Sequence, residues 1–159
     1  MKVLIAGDFC PQNRVAKLFE QQSFQDVLGE VKNVTSLADI SLVNFECAVV
    51  KGDFPPIKKC GSSLKCGESG VEALKWCGFD VACLANNHIR DFGDAGVDST
   101  VKACLRKDVG FVGGGNDLDE SSKTLFVEVK GEVLAVINCC EHEFSIATSV
   151  SGGANPLDP

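Results

Sequence analysis

Apolar positions along the chain alternate between two spacings. Short continuous runs are separated by stretches where apolar residues recur every three or four positions. Val3 to Ala6 is a first strand, ending on Gly7-Asp8. After a loop with Pro11 and Asn13, Val15, Leu18 and Phe19 fall at helical spacing. Ser23 caps a second helical segment with Val27, Leu28 and Val31 on its apolar side, although Gly29 weakens it. Ile40 to Phe45 is a second strand. Gly52 to Gly70 has no periodicity, holds Pro55-Pro56 and Lys58-Lys59, and reads as a long loop. Val71, Leu74 and Cys77 mark one face of a helix closed by Gly78. Val81 to Leu84 is a third strand. It runs into Asn86-Asn87-His88 and then, with Asp94 as the expected N-cap, into a helix with Val97, Val101, Cys104 and Leu105 on one face. Gly110-Phe111-Val112 is a short fourth strand, followed by Gly113-Gly114-Gly115. Thr124 to Val129 and Val133 to Asn138 alternate around Lys130-Gly131, a hairpin signature.

Alternation of strands and helices up to Val112 predicts an α/β fold, its sheet mainly parallel and flanked by helices, with a hairpin added late in the chain. Residues 1–148 form one domain in this reading. Residues 149–159, rich in Ser, Gly, Pro and Asn, read as a flexible tail or a cut point.

Composition narrows the function classes. A 45% hydrophobic content places the chain among globular proteins. A net charge of −7 argues against nucleic acid or an anionic membrane as the main partner and leaves a small-molecule or polymer substrate and a homo-oligomer open. No stretch is long enough for a membrane span, and the first residues lack the pattern of a signal peptide. Nine cysteines without CxxC pairing, several at apolar positions, read as reduced core residues of a cytoplasmic protein.

The candidate chemistry lies where strands end. In a parallel sheet all strands share one carboxyl edge, the edge at which open α/β sheets hold ligands. The first strand delivers Asp8 there. The second delivers Asn44 and Glu46, which share a face because side chains alternate. The third delivers Asn86, Asn87, His88 and Asp91. A last strand running the same way would add Glu141, His142 and Glu143. Lys59, on the long loop, is a candidate contact for an anionic substrate. Carboxylates, amide oxygens and an imidazole on one rim suit a divalent metal (Mg, Mn, Fe or Zn), among which the residue types do not choose.

Gly7-Asp8, Val43-Asn44-Phe45-Glu46 and Leu84-Ala85-Asn86-Asn87-His88-Ile89-Arg90-Asp91-Phe92-Gly93 together resemble the bacterial CapA family, linked to capsule and poly-gamma-glutamate synthesis. The family's fold is similar to that of calcineurin-like metallophosphoesterases. The resemblance implies metal-assisted hydrolysis of a phosphate ester. In it Asp8, Glu46 and Asn87 would hold metal, His88 would protonate or stabilise the leaving group, and Asp91 would orient His88. Cys10 stands where that superfamily has a histidine, and Ile89 where it has an acid. The family continues into two histidine-rich metal blocks that this chain does not reach. It therefore reads as an N-terminal portion whose metal site is incomplete and holds its ion weakly. A non-catalytic ligand-binding or scaffold module of the same fold is a second reading. Nucleotide binding at Gly113 to Gly115 is a third, unsupported by GxGxxG spacing.

Overall fold

Four of the apolar runs are the strands of one sheet. The structure is a computed structural model and describes residues 1–158. The strands β1 (Val3–Phe9), β2 (Ile40–Phe45), β5 (Val81–Cys83) and β6 (Gly110–Val112) lie in the order β1-β2-β5-β6, and every adjacent pair is parallel. Each crossover steps in the same direction across the sheet. With right-handed crossovers this places all the helices on one face. These are α1 (Asn13–Glu20), α2 (Phe24–Thr35), α3 (Ser69–Cys77) and α4 (Gly93–Arg106).

Packing follows strand parity. On the helix face Val43, Phe45, Ala82 and Leu84 meet Phe19, Leu28, Leu74, Val97 and Cys104. Phe9, Phe19, Phe24 and Trp76 form a run of rings with neighbouring centroids 5.5–6.0 Å apart, tying β1 to the first three helices. On the opposite face Ile40, Leu42, Val81 and Val112 are covered by the hairpin of β8 (Leu125–Val129) and β9 (Glu132–Val136). The central strand β2 is apolar on both sides because both of its faces are covered. Val3 and Ile5 on β1 share the hairpin face and remain exposed, Ile5 at 78%. The turn residues Lys130 and Gly131 both take positive φ, 53° and 77°, as a two-residue turn of a right-twisted hairpin requires.

β1 runs three residues further than its apolar core. Its register against β2 slips: Ile5 pairs with Leu42, and Asp8 with Asn44. Three steps on β1 therefore match two on β2, the mark of a β-bulge. Leu4 and Ala6 face the helices before the slip, and Phe9 faces them after it.

Several expectations need correction. Asp94 does not cap α4; it lies in the first turn and accepts from Arg90 Nη2 at 2.9 Å. Leu105 is 65% exposed, because α4 buries a narrower stripe than helical spacing alone suggests. The long loop contains β4 (Lys65–Cys66), parallel to β3 (Ala48–Val49). The glycines after β6 include β7 (Gly114–Gly115), which pairs with β10 (Gly153–Ala154). The segment expected as a tail thus carries a strand, with Gly152, Gly153 and Ala154 buried; Pro159 lies outside the described residues. The short helix α5 (Leu118–Ser121) was not foreseen. Its signal was Asp117-x-x-Glu120: Asp117 accepts from the Glu120 N–H at 2.8 Å, and Glu120 accepts from the Asn116 N–H.

Candidate functional site at the carboxyl edge of the sheet

The parallel strands bring their carboxyl ends to one rim, and the polar residues there bond to one another. Asn44 is the bridge. Its Nδ2 donates to Asp8 Oδ1 at 2.9 Å and to Glu46 Oε2 at 3.2 Å. Its Oδ1 accepts from Asn86 Nδ2 at 3.2 Å. Asn86 is buried and also donates to the Phe45 carbonyl at 3.0 Å, while its Oδ1 accepts from the His88 N–H at 3.0 Å. One amide chain therefore links three strand ends.

Asp8 and Glu46 carry opposite perturbations. The Asn44 amide holds the Asp8 carboxyl below its ordinary value, with help from Glu46. Partial burial pushes Glu46 up, and the neighbouring Asp8 pushes the same way. Two carboxyls on one amide resist carrying two full charges, so a proton or a cation between them is favoured.

His88 is fixed from one side. Its Nδ1 lies 2.7 Å from Asp91 Oδ2. A carboxylate can only accept, so Nδ1 carries the proton there. Nε2 is left facing Glu46 Oε1 at 4.0 Å. Asp91 is fully buried, also accepts from the Leu64 N–H at 2.6 Å, and pairs through Oδ1 with the Lys59 ammonium. Lys59 Nζ lies 3.3 Å from His88 Nδ1, but that nitrogen is already donating; Asp91 is the partner of the ammonium. The Lys59 side chain is only 6% exposed and sits 5.0 Å from the Phe144 ring centroid.

A cavity of about 360 Å³ opens beside this network, lined by Asn44, Glu46, Asn86, Asn87, Glu141 and Glu143 with Ala85 and Cys140. Glu141 and Glu143 reach it from the segment after β9, although β9 belongs to the antiparallel hairpin and not to the parallel sheet as the sequence argument assumed. His142 lies apart from this network and bonds Asp158 Oδ1 at 2.8 Å through Nδ1. Asn87 is exposed on the cavity wall, and it is Asn86 that is buried in the network. Sequence reasoning missed Leu64, whose backbone N–H anchors Asp91, and Phe144. Neither has a sequence signal, since one acts through backbone and the other through a fold-back. Gly114 and Gly115 are accounted for by packing: a Cβ there would meet Leu84 at 2.7 Å and Glu120 at 2.5 Å.

The oxygens of Asp8 and Glu46, converging on one amide beside a cavity with two further carboxylates, are a donor set for a hard cation bound with water in its shell. Among the described residues no three His, Cys, Asp or Glu side chains are grouped to enclose an ion fully. Beneath the rim, Cys10, Cys47 and Cys66 lie in a row. The neighbouring Cys47 thiol lowers that of Cys10, and Cys47 is itself pushed well up by Cys10, Cys66 and burial.

Comparison with known proteins agrees with this architecture. The chain is 26% identical over its whole length to a capsule biosynthesis protein CapA of Bacillus anthracis, of which it covers 40%. It is 26% identical over 96% of its length to the PGA biosynthesis protein CapA of Bacillus subtilis, covering 41% of that protein. Over 76% of its length it is 32% identical to a probable polyglutamine synthesis accessory protein of Mycobacterium tuberculosis. The chain spans about two fifths of the length of the first two relatives. No helix among the described residues is long and apolar enough to cross a membrane. The family model described as bacterial capsule synthesis protein PGA_cap matches residues 2–157, and the chain belongs to that family.

Proposed function

We propose that this chain carries the half-site of a metal-assisted phosphoester hydrolase serving capsule or poly-gamma-glutamate synthesis. The observation that carries this reading is the convergence of Asp8 and Glu46 on Asn44, with His88 Nε2 directed at Glu46 from across the rim. Asp8 and Glu46 would hold a divalent cation, with Asn87, exposed on the cavity wall, as a further ligand. Such an ion, when bound, polarises a phosphoryl oxygen and lowers the pKa of bound water. The chain's own residues do the rest. Asp91 holds the His88 ring so that Nε2 faces the rim, where the doubly protonated ring would donate a proton to a leaving oxygen. Asn86 fixes the backbone of His88. Lys59 balances the buried Asp91 charge. The cytoplasm, a small-molecule or polymer substrate, no nucleic-acid partner and a homo-oligomeric assembly remain part of the proposal.

A second reading, a non-catalytic module, is favoured by one observation: Asp8, Asn44, Glu46 and Asn86 already satisfy one another by hydrogen bonds. Manganese titration by calorimetry, with turnover of p-nitrophenyl phosphate, separates the two. The hydrolase reading expects weak, millimolar-range binding to this chain. It expects tight binding and turnover in a form of the relatives' full length, both lost in Glu46→Ala. A full-length form that neither binds the ion nor turns over the ester supports the module.

A further inference from the structure

The row of thiols beneath the rim is used by neither reading. Cys47 Sγ lies 3.5 Å from Cys66 Sγ, and both residues are buried. Cys10, beside Cys47, is half-buried and thus the most accessible of the three. Room for the Cys66 sulfur is built into the fold. Gly70, in the first turn of α3, leaves the space, and a Cβ there would come within 2.7 Å of that sulfur. The two buried thiols also bracket a functional segment. β3 follows Cys47, Cys66 ends β4, and the loop between them carries Lys59 and Leu64, both of which hold Asp91.

We infer that Cys47 and Cys66 form a reversible disulfide when the protein meets a hydroperoxide, with Cys10 as the point of entry. The peroxide transfers its distal oxygen to Cys10 Sγ, giving a sulfenic acid and releasing an alcohol, or water from hydrogen peroxide. Cys47 gives up its thiol proton and attacks Cys10 Sγ; the hydroxyl departs as water and a Cys10–Cys47 bond forms. Cys66 then attacks Cys47 Sγ, that bond breaks, and Cys10 recovers a proton as a thiol. The net change is two thiols oxidised and one peroxide reduced, two electrons each. A disulfide needs sulfurs about 2 Å apart, so the 3.5 Å gap closes by a small movement of two side chains. The product ties both ends of the loop that holds Asp91 to each other.

The test treats the intact, reduced chain with a slight excess of hydrogen peroxide, labels the remaining thiols with N-ethylmaleimide in denaturant, and maps peptides by mass. The expected product has lost two hydrogens, joins Cys47 to Cys66, leaves the other seven of the nine cysteines labelled, and reverts with dithiothreitol. Cys66→Ser should stop at a Cys10–Cys47 bond. Cys10→Ser should slow disulfide formation about tenfold or more. Oxidation of exposed Cys60 with Cys47 and Cys66 both labelled would overturn the proposal, as would Cys10 sulfinic acid without a disulfide. Cys10→Ser reacting at the unchanged rate would overturn the entry route. Circular dichroism checks each variant's fold, and if the Cys66→Ser variant fails to fold, the map of the unaltered chain decides alone.

Discussion

Asp91 is where a loop, a turn and a ring are held by one carboxylate. It is fully buried and contacts the Leu64 N–H, His88 Nδ1 and the Lys59 ammonium. Removing one member of a buried ion pair leaves the other charge without a partner, which costs about 3 to 5 kcal/mol. Asp91→Ala and Lys59→Met should each lower the unfolding free energy from a urea titration by an amount in that range. A loss below about 1 kcal/mol for both, the range of exposed pairs, would show that the pair carries no weight. The cysteines give a second check at this scale. Burial pushes the Cys104 thiol up to about 12, whereas Cys60 is exposed. In native protein at mild alkaline pH, Ellman's reagent should modify Cys60 first and leave Cys104 untouched. In denaturant all nine should react. Fast native modification of Cys104 would contradict its place in the core.

The hairpin is fastened to the sheet by Asp39 as well as by apolar contact. Asp39 pairs with Lys130 at the hairpin turn and accepts from the Lys2 N–H at 2.7 Å. Lys130, first, and that backbone N–H hold its carboxyl below the ordinary 3.8. A folded-state value below the unfolded one makes the contribution full above 3.8 and lost as pH falls through the lowered value. The Tm difference between the unaltered chain and Asp39→Asn should therefore be present at neutral pH and vanish in strong acid. A difference that persists there would show that the contact does not depend on charge. Elements of this size were legible from sequence where their cause is local. Val81 to Leu84 is an apolar run with no alternative, and Lys130-Gly131 dictates its turn. The two-residue strands β3, β4, β7 and β10 were not legible, because their pairing is set by neighbours brought in from elsewhere in the chain. The same distinction runs through the site. Asn44 and Glu46 lie on one face because strand parity says so. Past the end of β5 parity no longer applies, and whether Asn86 or Asn87 turns inward depends on a turn that only the fold defines.

At the scale of the molecule, the two faces of the sheet are covered unequally. Leu42 is 5% exposed under the hairpin, while Ile5, its partner across the parallel pair, is 78% exposed. Leu42→Ala should cost about 2 to 5 kcal/mol, as truncations in a core do. Ile5→Thr should change stability by less than about 0.5 kcal/mol. Equal costs in a denaturant titration would mean that cover over β1 has been misjudged.

The slip in β1 also bears on which changes of chain length the site tolerates. Between Ile5 and Asp8 the strand spends one residue more than β2 does. Before the slip even-numbered side chains face the helices, and after it odd-numbered ones do, beginning with Phe9. Gly7 is the spare count: a Cβ there would touch nothing within 4 Å. Deleting it restores unbroken alternation, with Ala6 inward, Asp8 outward and Phe9 inward, in the register β1 already has at either end. The sheet should therefore accept a one-residue deletion at Gly7 and reject a further deletion at Ile5, which would leave no spare residue and turn Leu4 to the opposite face. Length variation among relatives should then gather at this one position, where a residue can be gained or lost without moving either the core or the carboxylate that meets Asn44.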